Sequence, residues 1–519
     1  MTVTFSTFST VALADYVAEK TIAELQAALQ TGEVTTRQLA LGYIQRILAL
    51  DWSGPMLRSV IELNPDALAL ADALDAERAT KGPRSPLHGI PILVKDNLDT
   101  HDRMLTTAGS LALVTSQPTQ DATVVSQLRA AGALILGKTN LSEWANFRSD
   151  ESISGWSGRG GQTRNAYQQS HNPSGSSSGS AVAAAASLAA ATVGTETDGS
   201  IVSPANVNGI VGIKPTLGLT SRAGVIPIAH SQDTVGPMAR MVADAAALLG
   251  FMTGVDVRDG ATVGSAGHFH QDYTQFLDPN GLHGMRIGVA RAVYTGYYAE
   301  VDTLFEDALV ALREAGAILV DPADIPTAQA IKAYEGEMQV LLYEIKVDMA
   351  AYLATRTPSF QYPGTAIPRT LADLIAFNQA NAASELPLFG QELFEMAQDL
   401  ALSAAQYREF LAANQRLAGP EGIDAVMDQY NLDALVAPTG APAWEIGPKP
   451  LGKFLGSCST PPALAGYPHI TVPMGYVDEL PVGISFLGRA WSEPTLIKVA
   501  YAYERTTQMR RPPSLKAIL

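Results

Sequence analysis

Hydroxyl side chains crowd one stretch of this 519-residue chain. Residues 172–205 read NPSGSSSGSAVAAAASLAAATVGTETDGSIVSPA. Two turns, 175–180 and 196–200, carry Gly and Ser in a pattern that lets a backbone take unusual torsions and bring its N–H groups close to a ligand. Between them, residues 181–193 are mainly Ala, and the run predicts one tightly packed helix ending near Gly194. Two Ser-bearing turns therefore sit at opposite ends of one short buried element. Upstream, Ile92, Leu93 and Val94 lead directly into Lys95. A Lys at a strand end ordinarily reaches solvent, but three apolar residues before it favour a dry site.

Simpler readings of the Gly/Ser stretch fail on its flanks. A flexible linker is not followed by a dozen Ala, Val and Leu residues. A phosphate loop needs GxxxxGK[ST], and no Lys follows these glycines. A membrane span needs ~20 apolar residues, more than the run supplies. The chain carries 35 Lys and Arg against 51 acidic residues, a net charge of −16, which disfavours nonspecific binding to nucleic acid or anionic membrane. Cys458 is the single cysteine, so an intramolecular disulfide and an all-thiolate metal site are excluded. It reads as a small core residue. His268 and His270 form an HxH pair in a Gly-rich loop, without Cys or acidic partners at ligand spacing, and no metal is expected. The N-terminal residues lack a basic region and a continuous apolar core, so a cytoplasmic protein is expected.

The elements that position these residues follow from periodicity and punctuation. Thr21 with Glu24, and Thr35 with Gln38, have capping-box spacing and open two helices, read as an antiparallel pair over about 14–50. A helix is expected over 65–81, and a buried strand enters Lys95. Residues 121–136 and 301–320 each read as a helix, a Gly stop and a strand, the grammar of a layered α/β fold. A Gly-, Asp- and His-rich stretch at 252–284 reads as a long surface connection. Residues 325–420 are mostly helical, interrupted by Pro358, Pro363 and Pro368. Strands return at 435–438, 470–473 and 481–488, before a final helix at about 495–505. The absence of a clean boundary predicts one domain over 1–519, with a core at about 85–250.

GIPILVKDN around Lys95, the GSSSGS turn, GTETDGS followed by GIVGIKPT, and the late GYPHITVPMG and PVGISFLG resemble the amidase signature family. The resemblance runs in the same order through nearly the whole chain. KTNLSEWAN at 138–146 and SQDT at 231–234 resemble most closely the bacterial peptide amidases, which hydrolyse the C-terminal carboxamide of peptides. It implies an α/β fold, a central mixed sheet covered by helices in one large domain. It also implies a Ser–cis-Ser–Lys set: Ser200 as nucleophile, Ser176 as bridge and Lys95 as base, with the serines 24 residues apart (176 to 200). Backbone N–H groups of Thr197, Asp198, Gly199 and Ser200 would form the oxyanion hole, and Asn146 and Ser177 would touch substrate. The substrate would be a peptide or small-molecule amide, with no cofactor, no metal, no nucleic acid and no membrane partner, and the protein would be a monomer. The commoner family pattern has Asp at Glu196 and Gly at Asp198, which leaves the side-chain contacts of this turn open. A basic Lys95 must be neutral, so its pKa must fall from ~10.4 to roughly 7.5, about 4 kcal/mol of desolvation. Asp96 would oppose that shift, but neighbouring residues on a strand point to opposite faces. The glutaminase subunit that serves glutamyl-tRNA amidation, an aryl or fatty-acyl amidase and an inactive binding homologue share these features; pocket shape and assay separate them.

Overall fold

The computed structural model describes residues 10–359, 362–447 and 455–515. Eleven of the described strands form one mixed sheet. In chain order they begin with β1 (Val60–Leu63), β2 (Pro91–Lys95), β3 (Leu134–Thr139), β4 (Ala191–Glu196) and β5 (Val211–Lys214). They continue with β6 (Thr234–Ala239), β7 (Arg286–Val289), β8 (Ile318–Val320), β9 (Ala434–Pro438), β10 (His469–Val477) and β11 (Leu480–Leu487). Across the sheet the order is β1-β3-β2-β4-β6-β5-β10-β11-β9-β7-β8. Strand β2 runs parallel to β3 on one side and β4 on the other, and all three are buried throughout. Their continuous apolar runs are what a strand covered on both faces requires. Strands from the last quarter of the chain enter the middle of the sheet through β10, which pairs with β5. The result is one large α/β domain with helices flanking a mixed sheet.

Most predicted elements form where their signals lie. Thr21 and Thr35 close full capping boxes on the helices Ile22–Thr31 and Thr36–Arg46. The second of these packs chiefly against Thr10–Tyr16 and Ala67–Lys81 and not against Ile22–Thr31, so the expected antiparallel pair gives way to a larger helical layer. The 252–284 connection contains two short 3-10 turns and anchors itself with buried Thr262, Ser265 and Tyr273.

The Ala-rich run departs from its expectation. It is a short helix, Ser178–Ala185, a turn, and then strand β4. Ala satisfies a buried helix and a buried strand equally well, so the run carries no period to separate them. Long-range partners decide: Arg240 donates to the carbonyls of Ala184 and Ala189, and Arg46 to those of Ala186 and Ser187. Those two arginines satisfy the backbone acceptors where helix gives way to strand.

Helices between Ala328 and Ala418 form a separate layer with its own apolar cluster. Trp144, Phe147, Ile226 and Ile228 of the core join that cluster, and Trp144 meets Phe394 edge-on at 5.7 Å. This contact ties the helical layer to the 144–147 segment of the core. Among the described residues, no helix is long and apolar enough to cross a membrane.

Candidate active site

Lys95 is the last residue of β2 and is completely buried. Its Nζ lies 2.8 Å from Ser176 Oγ, 3.0 Å from Ser177 Oγ, 2.8 Å from Thr195 Oγ1 and 3.3 Å from the Thr195 carbonyl oxygen. No carboxylate is among these contacts. Burial therefore dominates and lowers the Lys95 pKa to about 7, against weaker opposing pulls from Asp233 and Glu196. Asp96 does face away: its carboxylate accepts bonds from Thr107 and Gly109 and pairs with Arg159.

The turn 175–180 brings its hydroxyls to Lys95 through a cis peptide between Gly175 and Ser176. Gly179 is required by close approach, since a Cβ there would strike backbone oxygens of Ser59 and Asn140. The second turn follows β4, with Gly199 at φ 79 reversing the chain into the helix Val202–Val207. The two turns are joined: the Ser177 N–H donates to the Ser200 carbonyl at 3.1 Å, and the Ser174 and Ser203 hydroxyls meet at 2.9 Å. Ser200 lines a cleft of about 390 Å³, together with Asn146, Gly175, Thr197, Asp198 and Gly199. Among the described residues, the backbone N–H groups of Thr197, Asp198, Gly199 and Ser200 have no protein acceptor. The turn thus presents a row of unused donors beside an accessible hydroxyl, the arrangement an oxyanion requires.

The departures in this turn have definite work. Glu196 accepts the N–H groups of Ile201 and Val202 at 2.7 and 3.0 Å, satisfying donors at the start of the next helix. Asp198 accepts hydroxyl bonds from Ser459 and Thr460. Asp233, from the SQDT segment, accepts from Thr197 Oγ1 at 2.6 Å and from the Ile228 and Ala229 N–H groups.

Ser177 stands apart from its expected role. It is fully buried behind Lys95, donates to the Thr195 carbonyl at 2.9 Å and accepts the Thr195 N–H at 3.1 Å. It lies outside the cleft lining and therefore positions Lys95, not substrate. Asn146 does line the cleft, at the end of three consecutive residues with positive φ: Trp144, Ala145 and Asn146 at 50, 54 and 70°. Such backbone is held only where its surroundings over-determine it. The Asn146 side chain accepts from Ser152 at 2.9 Å and donates to Ser154 at 3.3 Å.

Sequence reasoning missed Thr195 and Asn97, whose amide donates to Thr195 Oγ1 at 3.0 Å. The signal for Thr195 was in view, since alternation along β4 places it on the same face as Thr197. Glu337, which accepts from Gln232 Nε2 at 2.9 Å, carried no signal. His268 stacks on Trp491, and His270 packs edge-on against Tyr273 and Phe276. Cys458 sits in an apolar cluster, and burial pushes its thiol up to about 12, which makes it a core residue.

The fold and this cleft define an amide hydrolase, and the chain belongs to the amidase signature family, whose profile, described as Amidase, matches residues 43–497. The native peptide amidase of Stenotrophomonas maltophilia is 53% identical, with a TM-score of 0.90 over 96% of this chain and 99% of that one. A probable amidase of Arabidopsis thaliana is 41% identical, covering 96% of this chain and 92% of its own length. A glutamyl-tRNA(Gln) amidotransferase subunit from Chloroflexus aurantiacus is 37% identical, over 94% of this chain and 96% of its own length.

Proposed function

We propose that this enzyme hydrolyses the C-terminal carboxamide of peptides and releases ammonia, with Ser200 as nucleophile, Ser176 as proton bridge and Lys95 as base. The observation that carries the reading is the buried Lys95 amine, free of carboxylate contacts and 2.8 Å from Ser176. A neutral amine has one lone pair. The Ser177 proton is already committed to the Thr195 carbonyl, which leaves the Ser176 and Thr195 hydroxyls, each 2.8 Å from Nζ, to donate to that lone pair. Of the two, Ser176 follows Gly175, which lines the cleft with Ser200, and it is the one assigned to the relay.

Ser200 attacks the carbonyl carbon as its proton passes to Ser176 and that of Ser176 passes to Lys95. Negative charge on the carbonyl oxygen is met by the N–H groups of the 197–200 turn. The proton returns through Ser176 to the leaving nitrogen, the C–N bond breaks and ammonia departs. Water then attacks the acyl-Ser200 ester by the same relay and releases the acid. The preference for peptide amides is supported by the 53% identity to a peptide amidase over almost the whole of both chains.

Ser200→Ala should abolish ammonia release from peptide carboxamides while leaving the fold intact. A variant that keeps more than a small fraction of wild-type kcat would remove Ser200 from the role. Ammonia from glutamine alone, and only with a partner protein present, would instead favour an amidotransferase component.

A further inference from the structure

Among the described residues, the N–H groups of the 197–200 turn meet no protein acceptor, so other atoms must hold the turn in place. Thr197 supplies two of these atoms. Its hydroxyl donates to Asp233 Oδ1 at 2.6 Å, within the short range of a charge-assisted bond, and Gln232 Nε2 approaches its carbonyl at 3.4 Å. The other Asp233 oxygen accepts the N–H groups of Ile228 and Ala229 at 2.9 and 3.0 Å. Thr197 and Ile228 both line the cleft, so one carboxylate ties the catalytic turn to the cleft wall. The three residues before Asp233 are each fixed to one face of the helix Gly336–Ala354, where Glu337, Glu344 and Asp348 recur at helical spacing. The His230 N–H and Nδ1 meet Asp348 at 3.1 and 2.8 Å, and the Ser231 N–H and hydroxyl donate to Glu344 at 2.9 and 3.0 Å. Gln232 Nε2 donates to Glu337 at 2.9 Å. Asp233 is thus presented to Thr197 by a segment bonded along its length.

We propose that Asp233 is a positioning residue for the oxyanion donors: through the Thr197 hydroxyl it fixes the direction in which the 197–200 N–H groups point, and it does so from outside the cleft lining. The turn cannot swing away from its place without breaking the Thr197 bond. Thr197 and Asp233 are each only 8% exposed, so water does not freely replace the lost partner. Donors that point a little wide of the oxyanion lose most where negative charge develops, which is in the transition state and not in bound substrate. Asp233 also pulls weakly on the Lys95 amine. That pull acts on the base through charge alone. Thr197→Val separates the two effects, since it breaks the hydroxyl bond and leaves the Asp233 charge where it was.

This role rests on the 197–200 turn being the oxyanion site. Its test is steady-state kinetics, on whichever amide the enzyme turns over, for Thr197→Val, Thr197→Ser, Asp233→Ala and the Thr197→Val/Asp233→Ala double variant. Thr197→Val should lower kcat about ten-fold or more with KM changed less than about three-fold, and Thr197→Ser should recover most of that loss. In the Asp233→Ala background, Thr197→Val should cost less than about three-fold more, because the bond is already gone. Asp233→Ala also frees the Ile228 and Ala229 N–H groups; if it fails to fold, the Val and Ser variants carry the test by themselves. A second readout is inhibition by a peptide trifluoromethyl ketone. Its carbonyl carbon takes the Ser200 oxygen, the Ser200 proton leaves through Ser176 to Lys95, and its carbonyl oxygen becomes an alkoxide facing the turn. The peptide alcohol of the same sequence forms no such adduct. Thr197→Val should weaken the ketone by the factor lost in kcat/KM and leave alcohol binding within about two-fold. Equal weakening of both inhibitors, or a Thr197→Val enzyme with wild-type kcat, overturns the proposal. If Ser200→Ala keeps turnover, the reading of the turn has failed and the positioning role with it. An inactive Ser200→Ala beside a fully active Thr197→Val fails the positioning role alone.

Discussion

Lys95 ends β2 and Lys138 is the next-to-last residue of the neighbouring parallel β3, both fully buried, yet their surroundings differ in kind. Lys95 meets hydroxyls and a carbonyl. Lys138 donates to the Leu98 carbonyl at 2.6 Å and to Thr106 at 2.9 Å, and has Asp96 at 3.9 Å with Asp99, Asp102 and Glu62 beyond. Burial lowers both amines, and the carboxylates near Lys138 pull it back. Hydroxyls bind Lys95 and carboxylates are kept from it, which is the setting the proposed base requires. Asp96 makes the separation possible, since it follows Lys95 directly and turns toward Lys138 and Arg159.

The comparison breaks most sharply under deletion of the amines. Lys95→Met should lower kcat by ~10³–10⁴-fold without unfolding the protein, and Ser176→Ala by a similar factor. The double variant should be little worse than either single one, as expected for groups acting as a unit. Lys138→Met should do the reverse, losing ~3 kcal/mol of stability by leaving Asp96 less compensated, while folded enzyme keeps kcat within a few-fold. Steady-state kinetics beside urea melts of the same preparations read both. Large kcat losses in Lys138→Met at full stability would abolish the distinction.

A smaller effect tests the charge state directly. Lys95 has a folded pKa of about 7, below the unfolded value, so the unfolded chain binds the extra proton between about 7 and ~10.4. Wild type should therefore gain stability over Lys95→Met as pH rises from 7.5 to 9.5, by ~1 kcal/mol per pH unit. The acid limb of kcat/KM should fall near the same pH. A stability difference that is flat across this range would mean that Lys95 stays protonated in the folded protein throughout.

Much of this site was legible because its parts are local. Ile92-Leu93-Val94-Lys95 is a buried strand by composition alone, and each Ser turn is bracketed by its own Gly. The capping boxes at Thr21 and Thr35 are likewise complete within four residues. What could not be read depends on distant partners. The Ala run needed Arg46 and Arg240 to divide it, and Ser177 needed β4 behind it to become a support for Lys95. Glu337 accepts from Gln232 Nε2 at 2.9 Å across 105 residues of sequence, a meeting that none of its sequence neighbours announces.

The smallest expected effect concerns Asn146, which lines the cleft. Its carbonyl accepts from Ser152 and its amide donates to Ser154, so the side chain first of all staples the 150–154 loop to the strained 144–146 backbone. The amide nitrogen carries two hydrogens, and Ser154 takes one of them at a long 3.3 Å. The second is available to a substrate backbone carbonyl, which a peptide amide has and a small aryl amide lacks. Asn146→Ala should therefore raise KM for peptide amides about five-fold more than for aryl amides, the equivalent of one modest hydrogen bond of ~1 kcal/mol. Loss of the staple would weaken both substrates together, since it loosens the wall for either. The ratio of the two effects is the measurement, and equal losses on both substrates would leave Asn146 with the staple alone.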